Sequence, residues 1–524
     1  MKGTAQGRNE ARDAGVLVFG SLVAKLAEAA VPFVIARVLV KADVGALTGL
    51  MVIYGTLAMI LTAGFPAAVL YYMAGRDPAQ RAAIARRLYG TVMVLGVGIG
   101  VLLLLIGWLG DWALLWFGEW ISGGDGDPAD LHALRYMALY PVFDVLARVY
   151  PNYMIAIGRA RASATFQVLR GAGLAAAQLI PAALGFGLPG IVMGMTVFSA
   201  LQAIGIGRVV RGQHRGLPKV EPDVSVREMV RYSYPLGLTD MINVLNQYVD
   251  RYAILWLFTA EALASYGVGA WQIPVTSIAY SVGHVYIARY VELIKQGKGE
   301  EVMRLWRESI HKVSLIVVPV CMVFAVGAEE FMSVAFTADY IDAAPVFRAY
   351  TIYTMARVAS FGALIMAANR GKLLIRAAGF SLLSNIAITV PLVLTVGFLG
   401  PAIGTVLAFI PTVALYCWYI SRALKVEFRN TFPVWHWLGV VALSTAAAVP
   451  AIGLKLWVPM HPALALVVYA VSIPPLFVLL ARLTGMMSAE DLAFALRWLR
   501  LDFLFARTPP KQQPSASNEP PAEL

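Results

Sequence analysis

Long apolar blocks alternate with short polar connections over nearly the whole chain. Roughly fourteen such blocks, each about 20 residues long, run from Gly15 to about Thr484, the length that an α-helix needs to cross a hydrocarbon core of about 30 Å. The pattern places spans at 14–39, 44–73, 88–110, 131–157, 162–184, 188–208 and 232–258. Further spans fall at 262–288, 312–330, 343–368, 373–396, 400–421, 433–455 and 462–484. The connections alternate in charge. One set carries Arg76, Arg81, Arg86 and Arg87, then Arg159 and Arg161, and continues in the same way to Arg422, Lys425 and Arg429. The other set is short or acidic, with Asp125, Asp127 and Asp130, then Glu329, Glu330, Asp339 and Asp342. Lys41 and Lys455 are its only basic residues. Basic connections stay on the cytoplasmic side of a membrane. The chain therefore reads as an all-α integral membrane protein of about 14 transmembrane helices, with both termini in the cytoplasm.

Composition agrees with this reading. Of 524 residues, 59% are hydrophobic and 14% charged, where a soluble protein carries about 25% charge. The net charge of +11 sits at membrane-flanking positions, where orientation and anionic lipid account for it. No basic soluble domain is left to bind nucleic acid. Cys321 and Cys417 lie in separate apolar blocks and offer no metal-ligand spacing. The connections are too short for a nucleotide-binding domain, and no Walker-type glycine loop is present, so no ATP hydrolysis is expected. The first block is too long for a cleaved signal peptide and is expected to be retained. Ser488 to Arg507 reads as a basic amphipathic helix with Ser488 as N-cap and Asp491 three residues on. Leu492, Phe494, Leu496, Leu499, Phe503 and Leu504 are expected to face lipid. The Pro-, Gln- and Ser-rich stretch 508–524 is expected to be disordered.

The two halves of the chain echo one another. Ala147-Arg148-Val149 recurs as Ala356-Arg357-Val358, and Gly158-Arg159-Ala160-Arg161 as Asn369-Arg370-Gly371-Lys372. Gly185 to Gly190 recurs as Gly397 to Pro401, with Gly194 echoed by Gly404. Both six-span units enter the membrane with the same orientation, which makes a parallel repeat about an axis along the membrane normal. The expected organisation is a six-helix lobe at 1–210, a cytoplasmic linker at 211–230 and a second six-helix lobe at 231–422. Two added helices at 433–484, the interfacial helix at 488–507 and the tail complete it. The two lobes are expected to enclose a central cavity.

An ionisable side chain near mid-bilayer costs about 2.5–3.5 kcal/mol on insertion scales, so it is expected to face a cavity or a partner. Ser21, Lys25, Glu28 and Pro32 form one helical stripe; Asp240, Asn243, Gln247 and Asp250 form another, with Asn246 and Arg251 beside them. Thr276, Tyr280 and His284 share a third face. Asp144 and Arg148 lie four residues apart, and Arg357 is the repeat mate of Arg148. Lys25, Arg37, Arg135, Arg148, Arg170, Arg251, Arg348 and Arg357 outnumber Glu28, Asp144, Asp240 and Asp250. A cationic, water-filled cleft attracts anions, because arginine offers phosphate a planar donor fork. Simpler roles stay open: pairing of Lys25 with Glu28 and of Asp144 with Arg148 within one helix, and packing for His284. Arg37, Arg135 and Arg348 lie near span ends, where snorkelling accounts for them.

The chain resembles the polysaccharide (O-antigen-type) flippases of the multidrug/oligosaccharidyl-lipid/polysaccharide superfamily. The resemblance covers spans one to twelve. It lies in the Gly20 to Val40 helix followed by Val44-Gly45-Ala46-Leu47, in Thr62-Ala63-Gly64-Phe65-Pro66-Ala67-Ala68, in the Gly158-Arg159 and Asn369-Arg370 helix ends, and in the late Gly-Pro turns. It implies a two-lobed transporter, not an enzyme, that moves undecaprenyl-pyrophosphate-linked oligosaccharide across the bacterial inner membrane by alternating access. Its partners would be the lipid-linked glycan, membrane lipids, and a polysaccharide polymerase or export machinery. No cofactor is implied. On this reading Lys25, Arg148 and Arg357 bind the anionic headgroup, with Asp144 beside Arg148, and Asn243, Asn246, Gln247 and Tyr280 contact sugar. Glu28, Asp240 or His284 would couple the cycle to H⁺ or Na⁺. Three alternatives stand behind it: a lipid II-type flippase, a cation-coupled multidrug exporter, and, from a different class, a polytopic glycan polymerase or ligase.

Overall fold

A computed structural model of the protein describes residues 30–62, 64–73, 75–121 and 133–499. Every regular element among them is a helix, as expected where lipid leaves backbone groups no partner outside their own segment. The first half contains α1 (30–38), α2 (Lys41–Leu61), α3 (Phe65–Met73), α4 (Pro78–Ile121), α5 (Ala133–Tyr136), α6 (Tyr140–Ala156), α7 (Ala160–Ala183) and α8 (Gly187–Gln213). The second begins with α9 (Val226–Leu257), α10 (Ala260–Gly269), α11 (Thr276–Lys295), α12 (Gly299–Val326) and α13 (Ala328–Ala335). It continues with α14 (Ala344–Ala356), α15 (Phe361–Ala367), α16 (Gly371–Val396) and α17 (Gly400–Leu424). The chain then adds α18 (Val434–Trp457), α19 (Pro462–Leu483) and α20 (Ala489–Leu499).

Seven stretches among the described residues are long and apolar enough to cross a membrane, and one of them, Gly371–Leu424, holds both α16 and α17. Other expected crossings are interrupted: 44–73 breaks between α2 and α3, 262–288 between α10 and α11, and 343–368 between α14 and α15. Hydropathy alone reads through such breaks, because the residues inside them stay largely apolar. The break after α2 has a local cause. Gly64 has φ of 73°, a left-handed state that glycine adopts without steric cost.

Backbone geometry recurs along the chain. The N–H groups of Gly158 and Arg159 donate to Ile155 and Met154, and those of Asn369 and Arg370 donate to Met366 and Ile365. Gly158 and Asn369 both have positive φ, 78° and 55°, so the two helix ends share one Schellman-type cap. Gly185 and Gly397 also share a positive φ (77° and 75°), as do Gly75 and Gly297 (70° and 72°). Gly194 packs its α-carbon against the Ala177 carbonyl of α7, and Gly404 packs against Thr389 of α16, so α7–α8 and α16–α17 close with the same small residue.

The halves meet at both ends of the bundle. At the end with acidic connections, Gly45 of α2 lies against the Ala260 carbonyl, where no Cβ would fit. There Lys41 Nζ is 2.8 Å from Asp342 Oδ2. At the end with basic connections, Gly64 lies against the Ser233 carbonyl. There Arg76 pairs with Asp223, and the Tyr71 ring stacks on Tyr232 with centroids 4.2 Å apart. Three cations near span ends hold backbone carbonyls. Arg135 donates to Gly107, Arg348 to Ala325 and Arg37 to Val334. Lys455 of α18 reaches Glu329 and Glu330 at 2.8 and 3.0 Å, which fixes the added helices to α13.

The last described helix departs from expectation in its surroundings. Ser488 and Asp491 form the expected reciprocal cap, with Ser488 N–H on Asp491 at 2.9 Å and Asp491 N–H on Ser488 Oγ at 3.1 Å. Leu492 and Phe494, however, pack against the protein core. Asp491 also meets His311 Nε2 of α12 at 3.2 Å. The first turns of α20 thus cover protein rather than lipid, because its cap carboxylate has a partner on the bundle. Phe503, Leu504 and the tail lie outside the described residues.

Candidate functional site

Each half buries a carboxylate inside the apolar bundle. In the first, Asp144 of α6 is fully buried. Its carboxylate accepts Arg148 Nε at 3.2 Å, Arg170 Nη2 at 2.7 Å and the Tyr54 hydroxyl. Arg148 Nη2 also lies 3.4 Å from the Tyr54 oxygen, and its guanidinium covers the Tyr54 ring at 5.3 Å. The cluster ties α2, α6 and α7 together. Two guanidinium groups face one carboxylate, so it keeps a net positive charge, and the Arg148 side chain retains 31% exposure.

The second cluster is built differently. Asp250 of α9 is buried and accepts the hydroxyl of Tyr266 at 3.2 Å and that of Tyr350. Its other oxygen takes the Arg251 backbone N–H at 2.8 Å. Tyr350 opens onto a cavity of about 540 Å³ walled by α9, α14, α15, α16 and α17. Asn243, Gln247 and Asp250 of the predicted stripe line it, as does Asn246 beside the stripe, with Arg357, Gln272, Tyr353 and Tyr416. Arg357 Nη1 donates to Gln272 Oε1 at 3.1 Å and lies 5.1 Å from the Tyr353 ring centroid.

The helix breaks explain where this cavity lies. Gln272 belongs to the interruption between α10 and α11, and Arg357, Ala359 and Ser360 to that between α14 and α15. Irregular backbone at membrane depth is tolerated where it is buried in protein or lines a polar cavity. Both breaks meet that condition in one place. A second opening of about 250 Å³ lies between the halves. Val31, Pro32 and Gln178 line it from one side, and Tyr248, Arg251 and Trp271 from the other.

The repeated arginines therefore have unlike surroundings. Arg148 lies on an unbroken helix beside Asp144, whereas Tyr353 stands four residues before Arg357 and the helix ends at Ala356. Asp240 is exposed on α9. Tyr280 and His284 lie on α11, with side chains outside the described ones; Lys25 and Glu28 lie outside the described residues. The sequence reading missed Tyr54, Tyr266 and Tyr350, whose hydroxyls donate to the buried carboxylates, and Gln272, Ser381 and Asn385. Tyrosines are common in apolar helices and gave no signal, but Ser381 and Asn385, four apart in α16, did mark one polar face.

The chain is similar to several known proteins. A family described as "Polysaccharide biosynthesis protein" matches residues 34–345. An uncharacterized membrane protein of Methanocaldococcus jannaschii is 24% identical over 253 residues, 44% of this chain and 46% of that one. A probable low-salt glycan biosynthesis flippase of Haloferax volcanii, Agl15, is 22% identical over 220 residues, 40% of this chain and 45% of that one. The chain thus spans less than half the length of these curated relatives. Among solved structures, the lipid II flippase MurJ in an inward closed conformation superposes with a TM-score of 0.63 at 13% identity, covering 90% of this chain and 98% of the other. A MOP superfamily transporter from Pyrococcus furiosus gives 0.53 at 16% identity, covering 79% and 95%. These likenesses establish the fold, that of the MOP superfamily, and by the match over 34–345 the chain belongs to the polysaccharide biosynthesis protein family.

Proposed function

We propose that this multi-pass membrane protein is a flippase that moves a lipid-linked oligosaccharide, carried on undecaprenyl pyrophosphate, across the bacterial inner membrane by alternating access. The observation that carries the reading is the 540 Å³ cavity bordered by two helix interruptions. Discontinuous membrane helices build substrate sites in secondary transporters, and this one offers amides, hydroxyls, aromatic faces and an arginine. Family membership supplies the glycan context. Contacts between the halves at both ends of the bundle supply two places where access can alternate. On this reading both termini are cytoplasmic, Lys25, Arg148 and Arg357 attract the pyrophosphate, and Asn243, Asn246, Gln247 and Tyr280 meet sugar. Glu28, Asp240 or His284 couples transport to H⁺ or Na⁺, and a polymerase or export machinery receives the product.

The test is the fate of lipid-linked glycan in a strain lacking the protein. Accumulation of a glycan precursor on the cytoplasmic leaflet, reversed by the wild-type protein, is expected. The sugar composition of the precursor separates polysaccharide export from a peptidoglycan precursor. Absence of accumulation together with raised sensitivity to cationic dyes would overturn the reading in favour of a multidrug exporter.

A further inference from the structure

The wall between α9 and α16 has polar groups where lipid-facing helix seams are usually apolar. Asn246 Nδ2 donates to Ser381 Oγ at 3.2 Å. Asn385 Nδ2 donates to the Asn246 backbone oxygen at 3.2 Å and to its Oδ1 at 3.1 Å. The Thr389 hydroxyl donates to Asn385 Oδ1 at 2.8 Å. Asn385 and Thr389 are buried. Asn246 and Ser381 line the polar cavity. Thr389 lines a separate apolar groove of about 520 Å³ on the other side, formed by Leu245, Val249 and Trp256 of α9 and by Ile386, Val390 and Leu394 of α16. One layer of hydrogen-bonded side chains thus parts a polar chamber from an apolar one.

We propose that this seam is a lateral portal at which the protein holds a single-chain isoprenoid glycolipid, with its sugar in the cavity and its chain in the groove. The inference rests on the lipid-linked glycan reading and adds the place where that molecule enters. Two features select the occupant. The cavity offers the aromatic faces of Tyr353, Phe409 and Tyr416 beside the amides, the combination that suits a hydroxylated ring with one apolar face. It also contains Thr405, whose buried hydroxyl has no hydrogen-bond partner among the described residues and would find one in a sugar hydroxyl. An ordinary diacyl lipid covers the groove but leaves the cavity unused, because its headgroup stays at the membrane surface. A molecule with a bulky polar end joined to a long apolar chain fills both. Interhelical amide bonds in membranes are individually weak, so the seam can part without unpacking an apolar core.

The test uses the full chain in nanodiscs and two diazirine probes: undecaprenyl pyrophosphate bearing one N-acetylhexosamine, and phosphatidylglycerol. The native cysteines, Cys321 and Cys417, are buried, which leaves an Asn246→Cys/Ser381→Cys pair as the accessible thiols. In the wild-type chain the glycolipid probe should label α9 and α16 peptides about tenfold more than phosphatidylglycerol, and the reduced pair, which has lost the Asn246 amide, sets its own reference level of glycolipid labelling. Oxidation of the pair should cut that labelling about tenfold and reduction should restore it, so each sample is its own folding control. Val390→Trp, which fills the groove, should cause a similar loss without oxidation. Equal labelling by the two probes, or labelling that ignores both the crosslink and Val390→Trp, overturns the portal. In that event export that still depends on the protein keeps the flippase reading intact, whereas failure of the flippase reading appears as normal glycan export in the deletion strain.

Discussion

Lys41 and Asp342 join the two halves of the chain across one end of the bundle. Lys41 Nζ lies 2.8 Å from Asp342 Oδ2 and 2.8 Å from the Asp339 carbonyl, and the Ser265 hydroxyl donates to the same carboxylate at 2.8 Å. Lys41 is one of two basic residues in the acidic set of connections, and the other, Lys455, is also paired. Lys41 thus fastens the two halves to each other, and Lys455 fastens the added helices to the second half.

The fastening is weak enough to open. The Asp342 side chain keeps 55% exposure, and an exposed pair is worth about 1 kcal/mol or less. Asp342→Asn should therefore shift the population toward a state open at this end by no more than about fivefold. The measurement is the rate at which a water-soluble thiol reagent modifies a Ser265→Cys variant, with and without Asp342→Asn. A rate that does not change removes the pair from the gate. High salt should reproduce part of the effect, since screening weakens exposed pairs.

Gly45 makes a sharper test of the same end. A Cβ there would collide with the backbone carbonyl of Ala260, and backbone cannot step aside as a flexible side chain does. Gly45→Ala should hold the halves apart at the acidic end, abolish glycan export and leave helix content unchanged by circular dichroism. Normal export by this variant would mean that the close approach of α2 to α10 is not needed in the cycle.

Most of the bundle was legible before any coordinates, and the reason is physical. Lipid forces helices, and polar connections mark where they end, so α16, α18 and α19 fall close to their predicted spans, whereas α12 begins at Gly299, thirteen residues before the predicted 312. The interruptions at 270–275 and 357–360 were not legible. Pro274 is a weak sign, and the second break contains no Gly or Pro at all. The Asn243, Gln247 stripe with Asn246 beside it could be read because amides in an apolar helix are costly, and these residues line a cavity. That the cavity would lie within the second half could not be read, since stripe direction depends on how α9 packs on α16. Asp144 with Arg148 illustrates the limit. Spacing announced the pair, but Arg170 and Tyr54 come from other helices and only tertiary structure brings them in.

The Asp144 cluster predicts unequal effects from its members. Removing the carboxylate leaves two partly buried guanidinium groups without their shared partner, a loss that costs up to about 3–5 kcal/mol. Asp144→Ala should therefore sharply lower the amount of folded protein in the membrane. Arg148→Gln leaves Asp144 paired with Arg170 at 2.7 Å and should be tolerated. Arg148→Gln combined with Arg357→Gln should then abolish glycan translocation at near-normal abundance. Quantitative immunoblots beside the precursor-accumulation assay decide the matter: full activity in the double variant would remove both arginines from substrate handling.

The attachment of α20 should depend on pH in a direction set by Asp491. Burial works against the charge of this carboxyl, but hydrogen bonds from Ser488 and then from His311 outweigh it and hold the group below the usual carboxylate range. A depressed value in the folded state stabilises docking fully above the unfolded value of about 3.9 and is lost as pH falls through the folded one. His311 and Lys312 of α12 and His436 of α18 surround it: His436 lies 2.6 Å from His311, and Lys312 lies over the Phe494 ring at 5.8 Å. Hydrogen exchange in α20 should therefore stay slow from neutrality down to about pH 4 and accelerate only below it. Ser488→Ala removes the cap, worth about 1 kcal/mol, and should move the onset of acceleration to higher pH. Acceleration of wild-type exchange already near pH 6 would instead mean that histidine charging, not loss of the Asp491 carboxylate, releases the helix.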